Sequence, residues 1–167
     1  MCGYTGFTNH IDNSNRVIED MMDQIRHRGP DAAGRYVDGD IALGHRRLSI
    51  IDITEQGDQP IYNEDRTKVL VFNGEIYNYQ DIRKDLLAAG HVFRTQTDSE
   101  VLIHGYEEYG PELLPRLRGM FSFVIWDTVK KELFGARDFF GIKPLYYATM
   151  GLSLIHISEP TRPRLIS

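Results

Sequence analysis

The stretch GMFSFVIWD, residues 119–127, restricts the fold more than any other part of this chain. Side chains of a strand alternate between its two faces. On that period Phe121, Phe123 and Ile125 point one way, while Met120, Val124 and Trp126 point the other, and only Ser122 interrupts. A strand that is apolar on both faces has to be covered on both. After a turn at 128–130, KELFGARD (131–138) reads as the second arm of a hairpin, and KPLYYA (143–148) as a further strand. The expected architecture is therefore α+β, with mainly antiparallel sheets covered by helices.

Other segments supply the layers. Strand character is found in residues 2–8, 34–37, 41–51 and 68–72. Val17, Ile18, Met21, Met22 and Ile25 recur at helical spacing behind Asn13 or Ser14 as cap. RHRGPD (26–31) reads as a loop, because Gly29-Pro30 cannot continue a helix. A second helix within 76–90 carries Ile82, Leu86 and Leu87 on one face and ends at Gly90. A third follows Asp98 or Ser99, with Val101, Leu102 and Tyr106 inward and Gly110-Pro111 as its stop, and a short fourth covers 111–118.

Charge and cysteine content narrow the function. A net charge of -5 argues against nucleic acid or an anionic membrane as partner. No apolar run is long enough to span a bilayer, and a single Cys fits a reducing, cytoplasmic setting. That Cys is residue 2, directly behind Met1. Removal of Met1 would leave one residue carrying both a thiol and an α-amine. An α-amine has a reference pKa of about 7.7–8.0, so near neutrality it can take the thiol proton and act as general base.

A thiolate attacking an amide creates an oxyanion that needs aimed donors. VFNGEIYN (71–78) offers the Asn73 side-chain amide and the Gly74 backbone N–H, although Asn-Gly is also a turn signal. Arg47, in GHRRLSIID, has the planar fork that grips a carboxylate, or else serves as a surface or structural ion pair. Asp98, in TQTDSEV, can accept from an ammonium group or cap a helix. No metal cluster and no glycine-rich phosphate cradle is legible in 1–151, so no cofactor is assigned to this domain.

Taken in order, MCG, RHRGPD, GHRRLSIID, FNGEIYN, TDSEV, GMFSFVIWD and ARDFFGIKPLYY resemble the glutaminase domain of a class II glutamine amidotransferase, and within that class the glutamine-dependent asparagine synthetases. The resemblance runs from residue 2 to about 148. It implies an N-terminal-nucleophile hydrolase fold, an αββα sandwich. It also implies that Cys2 attacks the glutamine side-chain amide, releases ammonia and is freed by water as glutamate leaves. By the same resemblance Asn73 and Gly74 form the oxyanion pair and Arg47 holds the substrate carboxylate. Gly74, Glu75 and Asp98 hold its ammonium, and Ile51 lines the pocket. Arg28, Asp31, Arg137 and Asp138 are expected to be structural ion pairs or an interface rather than catalytic groups. ATP and Mg2+ belong to a separate synthetase domain that turns aspartate into asparagine, and the resemblance leaves room for a homodimer of the full-length protein. The alternatives are another class II amidotransferase of amino-sugar or purine metabolism, or a catalytically inert glutamine-binding module.

The texture changes after Met150. LSLIHISEPTRPRLIS (152–167) continues neither a strand nor a helix cleanly, and its first eleven residues read as a translated sequencing-library adapter. The expectation is a native domain over 2–151, incomplete at its C-terminal end, followed by a non-native tail over 152–167 without core packing.

Overall fold

The computed structural model describes residues 2–9, 11–48, 57–150 and 153–157. Nine strands and three α-helices are found among them. β1 (Gly3–Thr8), α1 (Ser14–Gln24), β2 (Ala32–Val37) and β3 (Ile41–Arg47) come first. β4 (Ile61–Tyr62), β5 (Lys68–Ile76), α2 (Tyr79–Ala89) and α3 (Glu100–Tyr109) follow. The chain then enters β6 (Gly119–Asp127), β7 (Glu132–Arg137), β8 (Tyr146–Met150) and β9 (Ser153–Ile157). Two sheets result, in the orders β2-β3-β1-β9-β8 and β4-β5-β6-β7. Every strand pair in them is antiparallel.

Three apolar clusters stack these sheets into an αββα sandwich. Phe7 and Ala42 of the first sheet meet Ile18 and Met22 of α1. On its other face, Tyr4, Ile41 and Leu43 meet Val69, Val71, Val124 and Trp126 of the second sheet. The outer face of the second sheet buries Phe72, Phe121, Phe123 and Ile125 under α2 and α3. The two-faced reading of 119–127 is thereby explained. Odd positions of β6 pack on helices, and even positions pack between the sheets. Burying one such aromatic contributes about 1.5–3 kcal/mol, and β6 sits at the centre of both layers.

Several expectations are corrected. Asn13 does precede α1, but in a left-handed conformation (φ 62) without a side-chain cap; Ser14 Oγ instead donates to Ile11 O at 2.6 Å. Residues Arg26–Arg28 form a 3-10 turn rather than plain loop. Leu87 is 50% exposed while Leu86 is fully buried, because adjacent helical residues point about 100° apart. α3 stops at Gly110 as expected, with that glycine at φ 56 as its C-cap, and the short helix that follows, Gly110–Arg116, is of 3-10 type. β8 begins at Tyr146, since Lys143 N is taken by Asp138 and Pro144 has no N–H to offer a ladder. β4 carries no sequence signal at two residues.

The C-terminal segment adds a strand that its sequence did not announce. Ser153–Ile157 is a strand, paired through its backbone with β1 on one side and β8 on the other. The edge of β1 that β3 leaves open supplies the partner for this pairing. Residues 158–167 lie outside the described residues.

Candidate active site

The site forms where β1, β3, β5 and β6 end together. Register places Gly3 opposite Arg46 in the first sheet, and Asn73, Gly74 and Glu75 opposite Ser122, Phe121 and Met120 in the second. A cavity of about 250 Å³ opens there, lined by Cys2, Arg47, Asn73, Gly74, Glu75 and Asp98. Six of the seven residues singled out from sequence are thus brought together; the seventh, Ile51, lies outside the described residues.

The thiol is held by backbone. Leu48 N donates to Cys2 Sγ at 3.4 Å, and Cys2 Sγ lies 3.6 Å from Leu48 O. Arg28 Nε donates to Cys2 O at 3.2 Å. Through that bond Arg28 anchors the N-terminal backbone.

β5 aims two donors into the cavity. Val69, Val71 and Asn73 share the face that looks toward the first sheet. Asn73 ends that apolar row with an amide, 2% exposed, whose Nδ2 has no hydrogen-bond partner. A buried donor left in this way costs about 1–3 kcal/mol. Along the edge of β5, Phe72 N donates to Gln59 Oε1 at 2.6 Å, and Ile76 N donates to Asp98 Oδ2 at 2.8 Å. Period-two alternation turns the Gly74 N–H toward the same edge, between those anchors. Glycine is required at 74 by close approach: a Cβ would lie 2.2 Å from Met120 O and 2.7 Å from Phe121 Cα. Asn73-Gly74 is thus interior to a strand, not a turn.

Charges ring the opening. Arg47 is 7% exposed and its Nη1 meets Asp58 Oδ1 at 2.5 Å. Gly57 lets the guanidinium lie against backbone, since a Cβ there would stand 2.5 Å from Nη2. Burial pushes the Asp98 carboxyl up to about 6, with the neighbouring Glu75 charge adding to the rise. Asp98 does not cap α3, whose cap position belongs to Ser99.

Lys143 went unseen in the sequence. It lines the same cavity, is 6% exposed, and burial pulls its ammonium below the usual lysine range, with Arg28 acting in the same direction. Asp138 delivers it. The Asp138 carboxylate accepts from Phe121 N (3.1 Å), Ile142 N (2.9 Å) and Lys143 N (2.9 Å), which fixes the turn that carries the lysine inward. The role of Asp138 is structural, as expected, and is carried chiefly by these backbone bonds. The only legible sign was the Asp-x-x-Gly turn pattern in RDFFGIK. Gln59, Thr97 and Ser99 complete the wall and carried no signal of their own.

Comparison with known proteins gives a consistent picture. A family model described as a glutamine amidotransferase domain matches residues 1–162. Glutamine-hydrolyzing asparagine synthetase 1 of Bacillus subtilis (strain 168) is 46% identical over 164 residues, covering 95% of this chain and 26% of that protein. Glutamine-hydrolyzing asparagine synthetase 2 of Arabidopsis thaliana is 49% identical over 150 residues, covering 87% of this chain and 25% of that protein. The chain therefore spans about a quarter of the length of these curated relatives. Among solved structures, a glutamine phosphoribosylpyrophosphate amidotransferase from B. subtilis, complexed with ADP and GMP, superposes with a TM-score of 0.80 at 23% identity. That match covers 95% of this chain and 42% of the other, and it speaks for the fold alone.

Proposed function

The chain belongs to the glutamine amidotransferase domain family, and we propose that its cavity hydrolyses the side-chain amide of glutamine with Cys2 as nucleophile. The observation that carries this reading is the Asn73 amide, buried and without a partner beside the Cys2 thiol. A folded protein keeps such a donor only where something else satisfies it, and an oxyanion formed at the attacked carbon does.

The steps follow from the groups present. Once Met1 is removed, the Cys2 α-amine takes the thiol proton. Sγ attacks the glutamine amide carbon, and the carbonyl oxygen gains negative charge against Asn73 Nδ2–H and Gly74 N–H. The ammonium formed from the α-amine returns its proton to the leaving nitrogen, ammonia departs, and a thioester remains. Water, deprotonated by the same amine, attacks the thioester through a second oxyanion in the same hole, and glutamate leaves. Arg47, oriented by Asp58, holds the α-carboxylate. Asp98 and Glu75 hold the α-ammonium, and Ile51 lines the pocket. Lys143 adds positive potential near the thiolate.

In the larger protein the ammonia serves a synthetase domain using ATP and Mg2+ to convert aspartate to asparagine. The reading rests on the relatives named above, and the class II amidotransferases of amino-sugar and purine metabolism are the alternative acceptor chemistries. Phe139 and Phe140, 95% and 83% exposed beside the cavity turn, offer the apolar contact such a domain needs. We take 2–151 as the native unit and 152–167 as the adapter-derived tail, and a reducing cytoplasm as the compartment. Among the described residues no helix is long and apolar enough to cross a membrane.

Glutamate release by the purified chain, beside Cys2→Ala and Asn73→Ala, tests the reading. Hydrolysis that is lost in Cys2→Ala and slowed in Asn73→Ala is expected. Hydrolysis that survives Cys2→Ala would reject it, and glutamine binding without turnover by a Met1-free chain would favour the inert binding module.

A further inference from the structure

Glu64, His91, His104 and Glu107 converge on one point outside the Cys2 cavity. They come from three separate places: the turn after β4, the segment after the α2 cap, and one face of α3. One donor atom from each lies within 4.8 Å of all the others. His104 Nδ1 is 3.2 Å from Glu107 Oε2 and 3.5 Å from Glu64 Oε2, and His91 Nδ1 is 4.0 Å from Glu107 Oε2. Four donors around a tetrahedral ion with bonds near 2.0–2.1 Å stand about 3.3–3.4 Å apart.

A second observation is independent of that spacing: three of the four residues have the outward polar atom hydrogen-bonded to a separate group, and the fourth, His104, is buried with its Nε2 facing a carboxylate but without a hydrogen-bond partner. His91 Nε2 meets Glu108 Oε2 at 3.1 Å, and His104 Nε2 faces Glu100 Oε1 at 3.5 Å. Glu64 Oε1 accepts from Val92 N at 3.0 Å, and Glu107 Oε1 accepts from Asn63 Nδ2 at 2.5 Å. Metal-bound histidines characteristically present the second ring nitrogen to a carboxylate, which fixes the tautomer and turns the other nitrogen inward. Glu100 is itself held by Arg94 N (2.7 Å) and Thr95 N (2.8 Å), so this outer layer is rigid. Four carboxylates surround two imidazoles, an arrangement short of positive charge.

We propose that Glu64, His91, His104 and Glu107 bind a zinc-class divalent cation in a closed tetrahedral site that ties α3 to the turn after β4 and to the end of α2. Two imidazoles and two carboxylates suit Zn2+ among common divalent ions, whereas Mg2+ and Ca2+ prefer more ligands, all oxygen. With every coordination position filled by protein, the site is structural.

The test is titration of tag-free, chelator-stripped chain with Co2+ as a spectroscopic probe, followed by displacement with Zn2+. One equivalent giving the intense visible bands of tetrahedral Co2+ without a thiolate charge-transfer band is expected. Glu108→Gln, which removes only an outer partner, should weaken Co2+ binding about tenfold. His91→Ala, partly exposed and compatible with folding, should weaken it further and abolish the rise in melting temperature that Zn2+ gives the parent chain. Absence of tetrahedral bands on the folded chain would overturn the proposal. So would a thiolate band that persists in His91→Ala, which would trace binding to Cys2.

Discussion

Asp98 and Glu100 are two residues apart, and both carboxyls are buried, yet they are pushed in opposite directions. Desolvation dominates at Asp98 and raises it to about 6. Glu100 is also desolvated, but bonds from His104, Arg94 N and Thr95 outweigh this and lower it to about 2. Lys143, which lines the same cavity, is shifted toward neutrality as well, whereas His104, beside Glu100, is raised to about 9 by its carboxylates in spite of burial. The cavity thus holds a carboxyl whose burial outweighs its backbone bonds, and a ligand carrying an ammonium group supplies its counter-charge. The cage on α3 has anions in excess and takes a cation. An α-amino acid is the first kind of ligand, and a proton or a divalent metal is the second. The direction of a buried group's shift separates a site waiting for substrate from one built to hold the fold.

Mutations in the two regions should fail differently. Cys2→Ala is expected to remove glutamine hydrolysis altogether while leaving the thermal unfolding curve in place, read by glutamate release and circular dichroism. Glu100→Ala should do the reverse. Breaking a buried pair costs about 3–5 kcal/mol, so chemical denaturation should show that loss, with kcat for the molecules that remain folded close to the parent value. An unchanged stability would dissolve the comparison. Asn73→Ala is expected to lower kcat by about 10²–10³ with little change in KM, because its donor acts on charge that develops only in the transition state. A matching rise in KM instead would make Asn73 a ground-state binding group.

The smallest expected effect is in the pH dependence. Asp98 binds an ammonium only as carboxylate, so KM for glutamine should rise as pH falls through about 6, approaching tenfold per unit below it. Linkage gives stability the opposite sign. A carboxyl that is raised when folded holds its proton more tightly than the unfolded chain does, so Asp98 makes the fold more stable as pH falls from 6 toward 4. Asp98→Asn should therefore weaken glutamine binding and flatten the pH profile of KM, while the protein is no less stable at pH 7.5. A loss of stability in Asp98→Asn would mean that the Ile76 N bond outweighs the desolvation.

The sequence was most readable where one element decides the outcome. GMFSFVIWD announces a strand covered on both sides, and Phe123 and Trp126 take the two layers that its alternation requires. Cys2, Arg47, Asn73, Gly74 and Asp98 stood out because each lies in a short motif whose chemistry is local, and Glu75 through the resemblance alone; the fold brings all six to one cavity. The unread parts are relations between elements. Lys143 reaches the cavity only because Asp138 folds the intervening turn. Glu64, His91, His104 and Glu107 share no motif, and only the packing of α2, α3 and β4 brings them together. The pairing of Ser153–Ile157 likewise depends on an edge that β1 offers. No local pattern reveals what a distant strand leaves open.

The most direct test is mass spectrometry of the chain after exposure to a glutamine-like electrophile, with and without competing glutamine. The account predicts a chain that lacks Met1 and carries a single adduct on Cys2, which glutamine prevents. A folded chain without Met1 that takes no adduct at Cys2, or takes one that glutamine does not prevent, would contradict it.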